Sequence, residues 1–550
     1  MLAVASTLLL AAALWPPTAR ANTSRAGLRG LPAVSPVTPC ESLPAADLSG
    51  VADRAVHVTS AAKAVDSAGK PYCKVDGYVE PAVRFEVHLP LQGWTQRYLQ
   101  IGCGGLCGVL SVRLNDHDRM CVPAARGDLA LASTDMGHEG GLDGRWAANN
   151  PQARIDFASR GVHVTALVAK ALIRRFYGRP PRYSYFSGCS DGGREALIEA
   201  QRYPRDFNGI AAGAPALNFT VQNSFYHGWN ALSNTGPDGK AILTAAKLPL
   251  LHAAVMAACD ATDGLEDGLI SDPRRCRFDP AVIQCHPAED PSRCLTPAQV
   301  EVVRRIYAGA HDARGRKLVA GGPMPGSELA WAGVYVPQES GQPLFSAMIA
   351  TGSLEYLYYP RPLPASWALR DLKFDRATLD SFPYRNLYDA TNPDLSAFQA
   401  AGGRLLMWHG WADQHISPLN SIEYYQAVER LMGADRVREF ARLFLIPGVY
   451  HCGGGYGLSR FDVLTPLMGW VERGAAPDRL LASRLRPGAR GAPRIAGTRP
   501  VFPFPEVARY SGRGRIDDPA SFIAADPAPA DVAPIRWLGA KYMAPGRAAD

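Results

Sequence analysis

Short apolar runs that end in glycine, proline or aspartate alternate with longer amphipathic runs along the first half of the chain. Apolar runs of about four to eight residues are typical of strands, whereas apolar residues at every third or fourth position indicate helices. An alternation of strands and helices favours an α/β fold with a parallel sheet. We predict strands at 83–90, 96–102, 128–135, 181–188 and 207–216, and helices at 161–178 and 191–204.

This pattern loosens near residue 218 and resumes near residue 395, where a strand (403–413), a helix (417–433) and a strand (439–448) follow one another. The part between contains aromatic clusters and closely spaced cysteines. A sheet that is interrupted and then resumed predicts an inserted lid domain. We therefore expect the first part of the core at 22–217, the lid at 218–394, and the second part of the core with a C-terminal wrap at 395–550.

The first 21 residues contain an apolar run that is too short to span a bilayer comfortably, and they end in Ala19-Arg20-Ala21. An A-x-A ending is typical of a signal peptide, here cleaved after Ala21, and it predicts a secreted or periplasmic protein. No lysine or arginine precedes the apolar run, which leaves a retained anchor as the alternative. No later apolar run is long enough for stable membrane insertion after cleavage.

Composition excludes several classes of protein. The 550 residues are 47% hydrophobic and 20% charged, as in globular proteins. The formal charge of +7 arises from scattered arginines rather than a long basic run, so no nucleic-acid partner is expected. The 11 cysteines favour disulfides in an oxidising compartment, because they lack the paired spacing of zinc sites. Their odd number leaves at least one thiol unpaired.

The stretch Gly188-Cys189-Ser190-Asp191-Gly192 lies between a predicted strand and a predicted helix. In that setting the pattern G-x-S-x-G forms a nucleophile elbow, whose glycines permit the sharp turn that exposes the serine hydroxyl. The alternative is a glycine-rich turn with an incidental serine, which the flanking strand and helix disfavour. We predict that Ser190 is a catalytic nucleophile.

An elbow serine requires a carboxylate and a histidine base, in that order along the chain after the serine. Asp413 and His451 each follow a predicted strand, and His451 lies in a glycine-rich loop. Ser190, Asp413 and His451 therefore form the predicted triad. The alternatives are His409 and His415 among the histidines, and Asp389 and Asp394 among the acids.

Two backbone N–H groups are expected to hold the oxyanion of the transition state. The helix after Ser190 directs its first amides, beginning with Asp191, toward that position. The second donor is expected from the loop "GCGGLCG" after an early strand, where glycines let the backbone approach a substrate closely. We predict the amides of Asp191 and Gly105, a role compatible with a turn that a disulfide also holds.

Cys189 directly precedes Ser190, and Cys452 directly follows His451. If the serine and the histidine are within hydrogen-bonding reach, their chain neighbours are close as well. We therefore predict a Cys189–Cys452 disulfide that ties the nucleophile turn to the base loop, with two unrelated buried thiols as the alternative. Such a bridge closes a long loop and fixes the relative positions of the two catalytic groups.

The motifs "GCSDGG" at 188–193, "HGWAD" at 409–413 and "HCGGG" at 451–455 resemble those of the tannase and feruloyl esterase family. This family also contains the mono(2-hydroxyethyl) terephthalate hydrolases, and the resemblance extends over most of the chain. It implies an α/β-hydrolase core with a large inserted lid domain. It also implies the triad Ser190, Asp413 and His451, and the bridge between Cys189 and Cys452.

The stretch "CDATDGLEDGLISDP" at 259–273 falls in the predicted lid. Carboxylate and carbonyl oxygens suit calcium, but the spacing is not that of an EF-hand, so a solvated acidic turn fits the residues equally well. The resemblance implies a structural Ca²⁺ at this place. Its expected ligands are Asp260, Asp263 and Asp267, with the carbonyls of Leu265 and Leu269.

Further disulfides are expected among the cysteines other than Cys189 and Cys452. Among Cys103, Cys107 and Cys121 we favour a Cys107–Cys121 bridge, which leaves Cys103 free. The other expected pairs are Cys40–Cys73, Cys259–Cys276 and Cys285–Cys294.

The expected protein is a secreted serine carboxylesterase acting on small aromatic esters of feruloyl or galloyl type. Mono(2-hydroxyethyl) terephthalate or a related aryl monoester is the alternative substrate. His409 is expected to contact the substrate, and aromatic residues from Tyr356 to Trp367 to cover its acid moiety. One remaining alternative is a serine peptidase of the same fold. The other is a catalytically dead polyphenol- or carbohydrate-binding protein, and the complete triad disfavours it.

Overall fold

The computed structural model describes residues 28–66, 68–488 and 493–527. The predicted signal peptide lies outside these residues. Within them the chain forms one large sheet, two small sheets and helices on both faces of the large sheet.

The strands begin and end close to the predicted positions wherever a strand was predicted. They are β1 (Val56–Val65), β2 (Pro71–Val79), β3 (Val83–Pro90), β4 (Arg97–Ile101), β5 (Ala130–Thr134), β6 (Tyr183–Cys189), β7 (Gly209–Gly213), β8 (Arg404–Gly410), β9 (Ala441–Ile446), β10 (Arg460–Phe461), β11 (Leu480–Pro487), β12 (Pro493–Val501), β13 (Val507–Tyr510) and β14 (Phe522–Ala525).

Nine strands form the central sheet in the order β1-β2-β3-β5-β4-β6-β7-β8-β9. The six strands from β5 to β9 in this order are parallel, whereas β1, β2 and β3 pair antiparallel at one edge. This topology confirms the predicted α/β-hydrolase core. In such a sheet the carboxyl ends of the parallel strands lie at one edge, where active sites form.

The α-helical segments connect these strands or lie between β7 and β8. They are α1 (Val122–Ala125), α2 (Pro151–Ile155), α3 (Gly161–Tyr177), α4 (Asp191–Arg202), α5 (Phe219–Val221), α6 (His227–Ser233), α7 (Leu248–Cys259), α8 (Pro297–Ala308), α9 (Phe345–Tyr356), α10 (Arg376–Asp380), α11 (Arg385–Tyr388), α12 (Ser396–Ala400), α13 (Leu419–Met432), α14 (Ala434–Phe440) and α15 (Leu464–Arg473).

Strand alternation divides the core between the two faces of the sheet. Along β8, Leu405 and Met407 pack in the core that holds α3, α4 and α13, whereas Leu406 and Trp408 pack in the core that holds α15. Both faces of the parallel strands are therefore covered by helices, as their near-continuous apolar sequences require.

The segment between β7 and β8, residues 214–403, is called the insertion below. It adds no strand to the central sheet, and the structure describes it throughout. Residues between 243 and 336 in the insertion bury a hydrophobic cluster of their own. The predicted lid, 218–394, lies within these bounds.

In the part of the chain that the structure describes, no helix has the length and apolar character needed to cross a bilayer. The longest of the described helices, α3, has 17 residues and ends at Tyr177, and the φ of 72° at the following Gly178 suits a helix C-terminus.

Candidate active site

Ser190 occupies a sharp turn between β6 and α4. Its φ of 66° lies in the left-handed region, where a residue with a side chain is strained, as a nucleophile elbow requires. A Cβ atom on Gly188 would lie 2.4 Å from the carbonyl oxygen of Gly192, so this turn closes only with glycine at position 188. Ser190 is thereby placed at the carboxyl end of a central strand.

His451 and Asp413 lie in the loops after β9 and β8, and Nδ1 of His451 is 2.8 Å from Oδ2 of Asp413. Asp413 is fully buried, and its Oδ1 accepts the amides of His415 and Ile416 at 2.8 and 2.9 Å. Burial acts to raise the pKa of Asp413, but the charge of His451 and hydrogen bonds from His409 and His451 outweigh it and hold the pKa well below its ordinary value. An ionised Asp413 only accepts hydrogen bonds. Nδ1 of His451 therefore carries a proton, and its Nε2 is free to accept one.

The predicted substrate contact of His409 is wrong. Its side chain is fully buried and does not line the pocket beside the elbow. Strand alternation turns His409 to the same side of β8 as Leu405 and Met407, toward α13. There its Nδ1 is 2.8 Å from Oγ of Ser421, and its Nε2 is 3.1 Å from Oδ2 of Asp413. His409 therefore contacts Asp413, not the substrate, and helps to hold its carboxylate in position.

A pocket of about 270 Å³ lies between the elbow and the insertion. Ser190 and His451 both line this space, which we call the Ser190 pocket. No hydrogen bond joins their side chains in the structure, and such contacts often tighten only when substrate binds. The other residues that line it include apolar ones (Ala216, Phe219, Phe345, Ile349 and Ile416), polar ones (Gln222, Asn223, His227 and His415), Asp191, and Cys189 and Cys452.

The two additional histidines of the Ser190 pocket are held in the neutral form. Burial, followed by the charge of His451, lowers the pKa of His227 to about 3. Burial and the neighbouring histidines lower the pKa of His415 well below its ordinary value. The ring of His415 lies 4.8 Å from that of His451 and 4.4 Å from that of Phe345. His227 and His415 therefore offer the pocket polar groups without charge, and the carboxylate of Asp191, which also lines it, is paired with Arg194.

Three residues that can offer a backbone amide line the Ser190 pocket. Asp191 begins α4, and Gly104 and Gly105 belong to the loop after β4. Within the described ranges, none of these three N–H groups has a hydrogen-bond partner. The amide of Gly192 donates to the carbonyl of Cys103 at 2.8 Å, which holds the loop against the elbow. The predicted oxyanion donors Asp191 and Gly105 thus line one space with Ser190.

A buried charged network lies beneath the loop after β4. Arg194, with no exposed surface, donates to the two carboxylate oxygens of Asp191 at 2.6 and 3.0 Å. Burial, followed by the charge of Asp191, raises the pKa of Glu195 to about 8, so Glu195 retains its proton at neutral pH. Glu195 also accepts the amide of Cys103 at 3.4 Å. The network fixes the first turn of α4 relative to this loop.

A disulfide joins Cys189 to Cys452 across 263 residues, with their Cα atoms 5.8 Å apart. It connects the chain neighbours of Ser190 and His451, as predicted from their positions. The structure also contains three other predicted bridges: Cys40–Cys73, Cys259–Cys276 and Cys285–Cys294.

The predicted Cys107–Cys121 bridge is wrong. Cys107 pairs instead with Cys103, four residues earlier in the loop after β4. Cys121 is a free thiol buried beside Met468 on α15, and burial raises its pKa to about 11. The sequence could not separate the two pairings, because all three cysteines lie in one irregular stretch without periodicity.

Four potential metal ligands, from Cys103, Cys107, Asp191 and Glu195, lie within 4.8 Å of one another. Cysteine binds metals as a thiolate, which the disulfide between the two cysteines withholds. Across the described residues this is the only cluster of such side chains at that spacing. The carboxylates of Asp260, Asp263 and Asp267 are not gathered as closely.

The aromatic residues predicted to cover the acid moiety do not line the Ser190 pocket. The carbonyls of Tyr356 and Tyr359 instead accept hydrogen bonds from buried Arg154. Phe219 on α5 and Phe345 on α9 line the pocket instead, and the sequence analysis did not select either of them. These residues are distant in the chain from each triad position, and no local pattern identifies them.

Comparison with known proteins identifies several relatives. An uncharacterized esterase from Xanthomonas campestris pv. campestris is 34% identical over 531 residues, which covers 88% of this chain and 90% of that protein. The mono(2-hydroxyethyl) terephthalate hydrolase of Piscinibacter sakaiensis is 33% identical over 506 residues, with coverage of 82% and 83%.

The fold has close counterparts among solved structures. Feruloyl esterase B from Aspergillus oryzae superposes with a TM-score of 0.76 at 27% identity, covering 88% of this chain and 99% of that one. Residues 64–525 match the family described as "Tannase and feruloyl esterase". This chain therefore belongs to the tannase and feruloyl esterase family.

Proposed function

We propose that this protein is a serine carboxylesterase that hydrolyses esters of aromatic acids. Ser190 is the nucleophile, His451 is the base, and Asp413 orients the base. The observation that carries the proposal is the 2.8 Å contact between Nδ1 of His451 and Oδ2 of Asp413, in a histidine that shares a pocket with an elbow serine. Membership of an esterase family supports ester substrates over peptides.

Acylation begins when Oγ of Ser190 attacks the ester carbonyl carbon and Nε2 of His451 takes the hydroxyl proton. The resulting imidazolium is stabilised by ionised Asp413. The carbonyl oxygen becomes negative and accepts hydrogen bonds from the amides of Asp191 and Gly105, which have no other partner among the described residues. When the carbon–oxygen bond to the alcohol breaks, the leaving alkoxide takes the proton from Nε2 of His451.

Deacylation repeats these steps with water. Nε2 of His451 takes a proton from a water molecule as its oxygen attacks the acyl carbon. The bond to Oγ of Ser190 then breaks, and the serine recovers its proton from the imidazolium. The products are the aromatic acid and the alcohol.

The residues that line the Ser190 pocket suit an aromatic acyl group. Phe219, Phe345 and Ile349 provide apolar surface for a ring, and Gln222 and Asn223 offer uncharged hydrogen-bonding groups for phenolic hydroxyls. Burying an ionised carboxylate without a charged partner is strongly unfavourable. These properties favour feruloyl or galloyl esters over a terephthalate monoester, whose ring carries a carboxylate.

A substrate panel tests this preference. We expect kcat/KM for methyl ferulate or methyl gallate to exceed that for mono(2-hydroxyethyl) terephthalate by about tenfold or more, because the pocket gives the free carboxylate no cationic partner. Parallel assays with the Ser190→Ala variant measure any background hydrolysis. A preference for the terephthalate ester would contradict the proposed acid moiety of the substrate. Peptide cleavage without ester cleavage would contradict the proposed esterase activity.

We also propose a structural Ca²⁺ in the insertion, as its acidic loop suggests. The loop contains carboxylate and carbonyl oxygens, which suit calcium, and Oδ1 of Asp267 is buried without a hydrogen-bond partner among the described residues. Arg499 neutralises the other oxygen of Asp267 by an ion pair, which competes with a cation. The ion would balance the charge of the loop and takes no part in ester cleavage. Its proposed ligands are Asp260, Asp263, Leu265, Asp267 and Leu269.

Metal removal tests the calcium proposal. Purified protein is expected to contain about one calcium per chain by atomic emission, and chelation is expected to lower Tm by several degrees, because bound ligand stabilises the folded state. The Asp263→Asn variant should lose the ion, whereas Asp279→Asn, at an exposed aspartate paired with Arg304, should retain it. A folded protein without calcium and with a Tm insensitive to chelation would contradict the proposal.

Secretion is proposed from two observations. The leader at 1–21 has the composition of a signal peptide, although it lies outside the described residues. Five disulfides link the described part of the chain, which suits the periplasm or the extracellular medium.

A further inference from the structure

The two proposed oxyanion donors lie on separate parts of the chain. The amide of Asp191 belongs to the start of α4, and the amide of Gly105 belongs to the loop after β4, residues 102–108, which we call the oxyanion loop. Donors stabilise an oxyanion best when they are already in place before the charge develops. Catalysis therefore depends on what holds the oxyanion loop against α4.

A disulfide closes the oxyanion loop around its donor. Cys103 and Cys107 are paired, with their Cα atoms 5.4 Å apart, and Gly104 and Gly105 lie between them. The bridge therefore keeps the two ends of this short segment together and limits the positions that the intervening glycines can adopt.

Little side-chain packing surrounds the closed segment at Gly104. A Cβ atom on Gly104 would meet no described atom within 4 Å beyond its chain neighbours. Cys107 has a φ of 59°, in the left-handed region, where a residue with a side chain is strained. Its amide donates to the carbonyl of Gly104 at 3.0 Å, inside the ring that the bridge closes. This conformation must be enforced by its surroundings, and the bridge is placed to enforce it.

The bridge rests on the first turn of α4. Sγ of Cys107 is 3.1 Å from Oδ2 of Asp191, and Sγ of Cys103 is 2.6 Å from Oε1 of Glu195. Asp191, whose side chain contacts the bridge, also supplies the second proposed oxyanion amide. The disulfide is therefore placed to fix the amide of Gly105 relative to that of Asp191.

The length of the closed segment separates this role from general stabilisation. A disulfide restricts the unfolded chain more when it closes a longer loop. Cys103 and Cys107 are four residues apart, whereas the Cys189–Cys452 bridge spans 263 residues. The short bridge is therefore expected to add little to the stability of the whole fold and to act on the oxyanion loop itself.

We propose that the Cys103–Cys107 disulfide positions the oxyanion loop, so that Cys103 and Cys107 are positioning residues for ester hydrolysis. This proposal rests on the proposed function, since the amide of Gly105 acts only on an ester carbonyl beside Ser190. Opening the bridge leaves the amide present but lets it move. The transition state then loses more stabilisation than the bound ester, which lowers kcat and leaves KM nearly unchanged.

The Cys103→Ser/Cys107→Ser variant opens the bridge. Its hydroxyl groups are close in size to the sulfurs and can donate to the carboxyl groups of Asp191 and Glu195. We expect kcat for methyl ferulate to fall about 10- to 100-fold, somewhat less than for complete removal of a donor, with KM within about twofold. Tm should fall by only about a few degrees, because the closed loop is short.

The matched control is Cys285→Ser/Cys294→Ser in the insertion. That bridge joins cysteines nine residues apart, and neither cysteine lines the Ser190 pocket. Its removal should leave kcat and KM within about twofold. Equal losses of kcat in the two double variants would overturn the positioning role, and so would a raised KM with normal kcat in Cys103→Ser/Cys107→Ser.

Reduction of the folded protein gives the same comparison if the double variant does not fold. A thiolate of dithiothreitol attacks one sulfur of the bridge, and its second thiol then closes a cyclic disulfide, which leaves Cys103 and Cys107 as thiols. Alkylation and mass spectrometry report which bridges have opened. In samples that retain the Cys189–Cys452 bridge, kcat should fall in proportion to the opening of Cys103–Cys107. A kcat independent of that opening would overturn the proposal.

Hydrogen exchange of the oxyanion loop keeps the test independent of hydrolysis. The amide of Leu106 donates to the carbonyl of Gly141 at 3.1 Å, and that of Cys107 donates within the loop. Both should exchange faster in Cys103→Ser/Cys107→Ser and at the original rate in the control. Unchanged exchange, or faster exchange with normal kcat, would overturn the positioning role and leave the esterase intact. Absence of Ser190-dependent hydrolysis in the unaltered protein would contradict the esterase and the positioning role together.

Discussion

Replacing Ser190 with alanine is expected to lower kcat for methyl ferulate by about 10⁵-fold or more, because no other group can form the acyl-enzyme. The substitution removes one oxygen atom at a strained turn and leaves the backbone and the Cys189–Cys452 disulfide in place. KM is expected to change little, since the walls of the Ser190 pocket remain intact. Stopped assays at high enzyme concentration measure the residual rate.

The control for this variant is Ser187→Ala, on the same strand. Oγ of Ser187 donates to Oδ1 of buried Asp118 at 2.8 Å and does not line the Ser190 pocket. Loss of the Ser187 hydroxyl should leave kcat within about threefold of the unmodified protein and lower the free energy of unfolding by about 1 kcal/mol. Ser190→Ala with near-normal turnover, in a preparation free of other esterases, would contradict the assignment of the nucleophile.

Replacing Asp413 with asparagine is expected to lower kcat by about 10⁴-fold. Both carboxylate oxygens of Asp413 face N–H donors: His451 and His409 on one side, and the amides of His415 and Ile416 on the other. An amide NH₂ group therefore meets donors in either orientation. When it faces His451, it favours the tautomer with the proton on Nε2, which cannot accept the proton of Ser190.

Stability should also fall in Asp413→Asn, by about 1–3 kcal/mol, because a buried donor is left unpaired. Asp389→Asn is the matched control, since Asp389 is a buried acid that the sequence offered as an alternative. Its Oδ1 accepts the amide of Thr220, away from the triad, so kcat should remain within about threefold. A larger loss of kcat at Asp389 than at Asp413 would contradict the assignment of the acid.

The predicted parallel strands follow from their sequences, because both faces of these strands are buried and their apolar runs are nearly continuous. β8, for example, exposes none of its residues from Leu405 to Gly410. The strand β1 was missed because all of its residues are half-buried or exposed at the edge of the sheet. β12 contains two prolines and a glycine, and β11 ends in proline, and these residues are depleted in strands.

The positions of the three proposed catalytic residues were predictable because each follows a predicted strand. Ser190, Asp413 and His451 each follow a strand, so strand positions alone place them at one edge of the sheet. The neighbouring cysteines added a check, because Cys189 and Cys452 are fixed by the chain to lie near the serine and the histidine.

The orientation of side chains and the lining of the pocket did not follow from the sequence. His409 lies four residues before Asp413, but the side of the strand it faces depends on the register of β8. Phe219 and Phe345 lie 126 residues apart in the insertion, and both line the pocket, so its lining depends on contacts between distant segments. The lining of the Ser190 pocket could therefore be identified only from the structure.

The central claim, that Ser190 is the nucleophile activated by His451, is tested most directly by covalent labelling. Diethyl p-nitrophenyl phosphate transfers its diethylphosphoryl group to an activated serine, forming an Oγ–phosphorus bond and releasing p-nitrophenolate. Mass spectrometry of the digested protein should locate one such group per inactivated chain, on the peptide that contains Ser190, and none in Ser190→Ala. Complete inactivation with the label on another residue, or equal labelling of the Ser190→Ala protein, would contradict the account.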